Sequence, residues 1–318
     1  MNKLLRYWNQ NRKKIITIIS IIVLSLILIQ VANNFAREKH KKQSNNLQNN
    51  VNNIKDVTRP NISIASDEKL NENETTNNSE ILKKFIENCN NKNIKEAYNM
   101  LSKDCKNELY KNNIEEFNKN YINKIFTTFK SYELELWQKN NNKYTYKVIY
   151  QDGNPLQTGQ ANNTNNFLDY ITIVKENKEL KLNINNFVCN EELSRSKEEK
   201  DVVIKINSKK TYIDYEIYNI TVINNSENKI LLNNRKNIKD IYLTDSRGHK
   251  YFSLIYELPS SALIINSKDK NTFELKFNKN YNTISNINTM EINNIQLEYE
   301  ENMIKDENSK VTSIKINL

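Results

Sequence analysis

Between residues 15 and 32 the chain reads IITIISIIVLSLILIQVA, an apolar run without a single charge. As a helix rising 1.5 Å per residue it is about 27 Å long, close to the thickness of a bilayer's hydrocarbon core. Nothing else in the 318 residues is apolar for so long, so one membrane-spanning helix at most is expected. The run exceeds the usual length of a cleaved signal. Gln30-Val31-Ala32 and Asn34-Phe35-Ala36 also lack the small residue that cleavage needs three positions before the cut. Residues 1–14 then read as a basic cytoplasmic tail and 15–32 as a transmembrane helix acting as an uncleaved signal anchor.

The formal net charge is +9, yet nearly all of it sits before Gln43. Lys3, Arg6, Arg12, Lys13 and Lys14 precede the apolar run, and Arg37, Lys39, Lys41 and Lys42 follow it. Arg12, Lys13, Lys14, Arg37 and Lys39 are placed to meet anionic headgroups of a lipid bilayer, and the slight excess on the N side sets the orientation. The expected location is a cell membrane, single-pass, with the N-terminus cytoplasmic and the folded domains outside. Phosphate backbones need cations clustered on a folded face, so no nucleic-acid partner is expected.

Residues 33–79 are rich in Asn, Ser, Thr and Glu, with little apolar surface to offset the entropy of ordering, and read as a flexible linker. Helical spacing begins at 80. Ile81, Leu82, Phe85, Ile86 and Cys89 recur on one face; so do Ile94, Ala97, Tyr98, Leu101 and Cys105, then Ile114, Phe117, Tyr121, Ile122 and Ile125. Each set follows an Asn with a Glu three residues later: Asn77 with Glu80, Asn93 with Glu96, Asn113 with Glu116. After Phe126 the period drops to two, with Tyr132, Leu134 and Leu136, then Tyr144, Tyr146, Val148 and Tyr150. Strands at 167–174 and 180–187 flank the turn Lys175-Glu176-Asn177-Lys178.

Helices followed by antiparallel strands predict an α+β order. On FIENCNNKNIKEAYNML and the closing hairpin DYITIVKENKELKLNINNF, residues 80–190 resemble a nuclear transport factor two-like (cystatin-like) domain. That resemblance implies a cone of three helices on a curved antiparallel sheet. In bacteria such domains hang outside the membrane from one N-terminal helix, as in bitopic subunits of conjugation and type IV secretion machines. Residues 191–199, EELSRSKEE, read as a second linker. Beyond it, candidate strands at 201–206, 212–223, 230–232, 238–244, 249–255, 262–265, 272–277, 292–299 and 311–316 predict an all-β sandwich over 200–318. The phrases YNITVINNSENKILLNN, IYLTDSRGHKYF and NTFELKFN resemble the immunoglobulin-like domains of Gram-positive extracytoplasmic proteins.

Little in the chain points to chemistry. With three Gly and three Pro it holds no Gly-rich phosphate loop. Cys89, Cys105 and Cys189 lack the close paired spacing of a zinc site, so no metal or cofactor is expected. Cys89 and Cys105 fall on the apolar faces of neighbouring helices and read either as a disulfide or as free thiols packed as small hydrophobes. His40 and His249 lie in different parts of the chain, which disfavours a His-dependent triad. A cone becomes an enzyme when an inward carboxylate abstracts a proton. Glu133 and Glu135 read as solvent-facing, while Asp169 shares a strand face with Phe167, Ile171 and Ile173 and is the candidate for a ligand cavity. The row Tyr144, Tyr146 and Tyr150 reads as core packing or as an aromatic ligand platform.

The expectation is a non-catalytic, membrane-anchored binding or scaffold protein of a bacterial cell envelope, a subunit of a conjugation or secretion-like assembly, with envelope or machine proteins or a second copy as partners. A small-molecule-binding or isomerase-like cone, and a surface sensor or adhesin, are the alternatives.

Overall fold

The computed structural model describes residues 70–140, 142–153, 166–235, 237–281, 285–300 and 310–318. The basic tail, the apolar run at 15–32 and the cations Arg12, Lys13, Lys14, Arg37 and Lys39 lie outside them. Among the described residues no helix is long and apolar enough to cross a membrane. The expected single-pass architecture and cell-membrane location are corrected on that finding. The longest described helix, ENETTNNSEILKKFIENCN, has one apolar stripe and a polar remainder, the composition of a helix that covers a sheet.

That helix, α1 (Glu72–Asn90), buries Leu82, Phe85, Ile86 and Cys89. It starts well before the expected position, inside what read as linker. Asn71 caps it: its side chain accepts from the Glu74 N–H at 2.8 Å, and the Glu74 carboxylate accepts from the Asn71 N–H at 3.3 Å. Residues 72–79 have little apolar surface, and long-range bonds hold them. Tyr144 donates to Glu74 at 2.7 Å, Lys139 pairs with Glu74 at 3.4 Å, and Asn78 donates to the Tyr146 hydroxyl at 3.4 Å.

The second helical set divides in two, α2 (Ile94–Met100) and α3 (Lys103–Tyr110). Leu101 is extended, and the Ser102 N–H donates to the Leu182 carbonyl at 2.9 Å while its hydroxyl accepts from the Cys105 N–H at 3.0 Å. A backbone bond to a strand thus replaces the continuous helix. The third set, α4 (Ile114–Phe117), is capped by Asn113 and passes through a π-helical turn at Asn118–Ile122 into α5 (Asn123–Ile125). The wider turn buries both Tyr121 and Ile122.

Four strands follow as an antiparallel meander, β1 (Lys130–Asn140), β2 (Lys143–Asp152), β3 (Phe167–Glu176) and β4 (Glu179–Asn183). Leu134, Leu136, Tyr146, Val148, Tyr150, Ile171 and Ile173 share a buried cluster with the helices. Each fully buried Leu, Ile or Phe contributes about 1.5–3 kcal/mol by leaving water. Tyr146 and Tyr150 are therefore core residues.

β5 (Phe187–Glu199) leaves this sheet and pairs with β6 (Val202–Tyr212), which pairs with β7 (Glu216–Asn224). β8 (Ile230–Leu231), β9 (Ile241–Asp245), β10 (Lys250–Phe252) and β11 (Ile264–Ile265) come next, then β12 (Lys270–Phe277), β13 (Ile287–Gln296) and β14 (Val311–Asn317). A second sheet runs β10-β9-β13-β8-β11, with β14 on β13, and a third runs β12-β7-β6-β5. Val202, Ile204, Ile206, Ile220 and Val222 of the third sheet share a core with Ile241, Leu243, Met290 and Ile292 of the second.

This topology corrects the expected cone followed by a separate sandwich. Strands in three sheets dominate the described chain and the helices are few. Among the described residues no helix-on-sheet cone is evident: the first sheet is a meander of sequence neighbours, and the next strand, β5, enters another sheet. The expected linker at 191–199 is the second part of β5. It read as a linker because residues 194–199 are exposed and polar on an edge strand. Phe187 sits in the first core against Tyr212, rings 5.3 Å apart, while Leu193 packs on the second core. Glu108 of α3 adds a polar tie, pairing with Lys210 at 2.9 Å and accepting from the Tyr212 hydroxyl at 3.1 Å.

Candidate functional site

Asp169, the expected ligand-cavity residue, is buried. It is 2% exposed, and its carboxylate accepts from the Tyr121 hydroxyl at 2.8 Å and the Asn186 N–H at 3.2 Å. The Tyr121 and Tyr150 hydroxyls meet at 3.3 Å beside it. Burial pushes its carboxyl up to about 6, against the pull of the Tyr121 bond. The π-helical turn buries Tyr121, whose hydroxyl completes this set of neutral donors.

Cys89 and Cys105 are free, fully buried thiols in the same core. Burial raises both, Cys105 to about 12, so they act as small apolar groups. Glu135 pairs with Lys147 at 3.2 Å. His249 approaches Asp245 at 3.2 Å, but Asp245 also accepts from the Arg247 and His249 N–H groups, both at 2.9 Å, and from the Tyr251 hydroxyl at 3.0 Å. That pattern holds a turn in place. Among the described residues no group of three or more His, Cys, Asp or Glu is placed to hold a metal ion.

The polar groups converge elsewhere, in a cleft of about 190 Å³ where the β1–β2 hairpin, the third sheet and the segment entering β13 meet. Strand periodicity builds its wall. Glu191, Lys209 and Tyr218 lie across from one another on β5, β6 and β7, and Cys189, Thr211 and Glu216 form the adjacent row. The two residues from each strand are alternate ones, so they share a face. Lys143 at the start of β2, and Lys279 and Tyr281 beyond β12, close the sides.

The charges form a ladder. Glu191 takes Lys143 on one oxygen and Lys209 on the other, each at 2.8 Å. Glu216 takes Lys279 at 3.0 Å and the Tyr218 hydroxyl at 2.8 Å. Burial disfavours the Glu191 charge, yet the two lysines hold its carboxyl down at about 2. Burial likewise works against the Lys143 and Lys209 charges, but Cys189 and Glu191 around Lys143, and Glu191 and Glu216 around Lys209, more than offset it and raise both ammoniums. Lys143 also lies 3.3 Å from the Cys189 sulfur. Burial still raises that thiol, so Cys189 stays protonated. Burial raises Tyr281 to about 12.

This arrangement suits recognition. It offers fixed donors and charges. Apart from Cys189, weighed only as a zinc ligand, the sequence reading missed these residues. Its available signal was slight: Glu216 and Tyr218 alternate with Ile217, but Lys209 and Thr211 lie in the polar stretch Ser208-Lys209-Lys210-Thr211. The assignment of 191–199 as linker removed β5 and hid the pairing that aligns them. No family model, curated protein or solved structure matches this chain.

Proposed function

We propose that this protein is a non-catalytic binding protein whose ligand occupies the polar cleft where the three sheets meet. The observation that carries the reading is the ladder: four oxygens of Glu191 and Glu216 are each engaged by a lysine or tyrosine, so the lining is fixed before any ligand arrives. Preorganised polar groups in a concave site favour binding, because little ordering remains to oppose it.

The test is a thermal-shift screen of the full chain against small-molecule panels sorted by charge, with each hit recovered and its NMR spectrum recorded. At least one class raises the unfolding midpoint saturably and returns chemically unchanged. Absence of a shift with every class, or conversion of the bound compound, overturns the reading.

A further inference from the structure

We propose that the cleft receives an uncharged, hydroxyl-rich molecule the size of one sugar ring, seated against Thr211 and Asn286. The inference rests on the binding reading above and adds the chemical class of the ligand.

The charges of the lining cancel. Lys143, Lys209 and Lys279 supply three ammonium groups, and Glu191, Glu216 and Leu318, which carries the terminal carboxylate, supply three carboxylates. A ligand with a net charge of either sign would unbalance that set in a recess that water screens less than bulk solvent does. Hydrogen-bonding capacity is balanced as well. An ammonium has three N–H donors and a carboxylate roughly four lone-pair sites, so both kinds of site remain open after the internal pairs are made. A ligand of donors alone, or of acceptors alone, uses one side of that capacity. A hydroxyl, which donates once and accepts twice, uses both.

The lining groups that carry no internal bond have the same two-sided character. Thr211 is 3% exposed, and among the described residues its hydroxyl has no hydrogen-bond partner. Strand register brings it into the row between Cys189 and Glu216. Asn286 stands exposed at the rim, and while its backbone carbonyl accepts from the Ser246 N–H at 2.9 Å, its side-chain amide has no partner among the described residues. A hydroxyl and an amide each donate and accept, which is what a ring of hydroxyls requires of its site. Leu193 and Ile287 add an apolar stretch of wall, suited to the C–H face of such a ring. At about 30 Å³ per water the cleft has room for roughly six waters, the place of one polyol or sugar ring rather than of a chain of them.

The full chain is titrated calorimetrically with glucose, xylose and inositol, and with glucuronate and glucosamine, which keep the sugar ring but add a negative or a positive charge. Alkylation of Cys189 by iodoacetamide is followed in parallel. That thiol lines the cleft at 7% exposure, while Cys89 and Cys105 are 0% exposed. At least one neutral probe binds saturably and more tightly than both charged analogues, keeps its affinity as sodium chloride is added, and slows Cys189 alkylation. Thr211→Val weakens that binding about 2- to 10-fold, the range for one neutral hydrogen bond, and Thr211→Ser, which keeps the hydroxyl, stays within about two-fold. Neither variant removes a charge from the ladder. Tighter binding of glucuronate or glucosamine overturns the uncharged class and spares the binding reading. Equal affinity in Thr211→Val, or saturation without protection of Cys189, overturns the proposed seat. No heat with any probe overturns the class, and a blank thermal-shift screen beside it overturns the binding reading too.

Discussion

Asp169 in the first core and Glu216 in the cleft are buried to nearly the same degree, 2% and 3% exposed, but their partners differ in charge. Asp169 has neutral donors only, a tyrosine hydroxyl and backbone N–H groups, and burial lifts its carboxyl to about 6. Glu216 faces a lysine ammonium as buried as itself, and its neighbour Glu191 is drawn down to about 2 by two more. Among neutral donors, burial favours the proton on Asp169, whereas the two lysines draw Glu191 the other way. The first layer is thus built as a core that tolerates one polar group, and the cleft as a place where charge is kept ready.

The sharpest way to break that contrast is to remove the cation from the buried pair. Lys279→Met leaves the buried Glu216 without its cation, with only the Tyr218 hydroxyl still bonded to it, and loses about 3–5 kcal/mol in urea denaturation. Adding Glu216→Gln to the same chain restores most of the loss. A cost below about 1 kcal/mol for Lys279→Met alone means that Glu216 finds neutral donors, as Asp169 does, and the contrast fails.

The next effect lies in the pH profile. The folded state raises Asp169 from its ordinary 3.8 to about 6, so its contribution to stability is full below about pH 4 and is lost as pH rises through 6. At about 1.4 kcal/mol for each pH unit between those two values, the loss is about 3 kcal/mol. Asp169→Asn flattens stability measured between pH 4 and 6. Glu191 works in the other direction: its contribution is present above its ordinary 4.5 and fades as pH falls toward 2. Glu191→Gln flattens that acid limb, by a smaller amount because the group is partly exposed and solvent screens it. Identical profiles for both variants would erase the distinction between the two carboxylates.

The smallest effect tests whether the two regions are energetically separate. Asn71→Ala removes the cap of α1 and costs about 1 kcal/mol. Hydrogen exchange on α1 speeds up, while β6 and β7 keep their protection. Faster exchange on those strands as well shows that the helical layer and the sandwich open together.

Much of the local structure was legible. The helical stripe at Leu82, Phe85, Ile86 and Cys89, the cap at Asn113 and the alternation of β2 all depend on neighbours in sequence, which is what periodicity reports. Two hairpin turns show where that stops. Asn177 and Lys178 both have positive φ, and Asn advertises the turn between β3 and β4. Lys200 and Asp201 also both have positive φ, but without the usual Asn or Gly first residue the β5–β6 turn looks like part of a charged coil. The start of α1 was hidden because Tyr144 and Tyr146, far along the chain, hold its first turns. The cleft was hidden for the same reason on a larger scale: its residues meet only through the register of β5, β6 and β7. The expected cone failed at that strand too, since helices followed by strands do not reveal which sheet the fifth strand joins.

β5 also sets how this chain can be inherited. Its first residue, Phe187, belongs to one core, and Leu193, farther along, packs on the other. A recombination joint anywhere in Phe187–Glu199 would deprive the third sheet of an edge and the first core of an aromatic ring. The two halves therefore cannot be shuffled as independent cassettes; they must descend, duplicate and diverge as one piece.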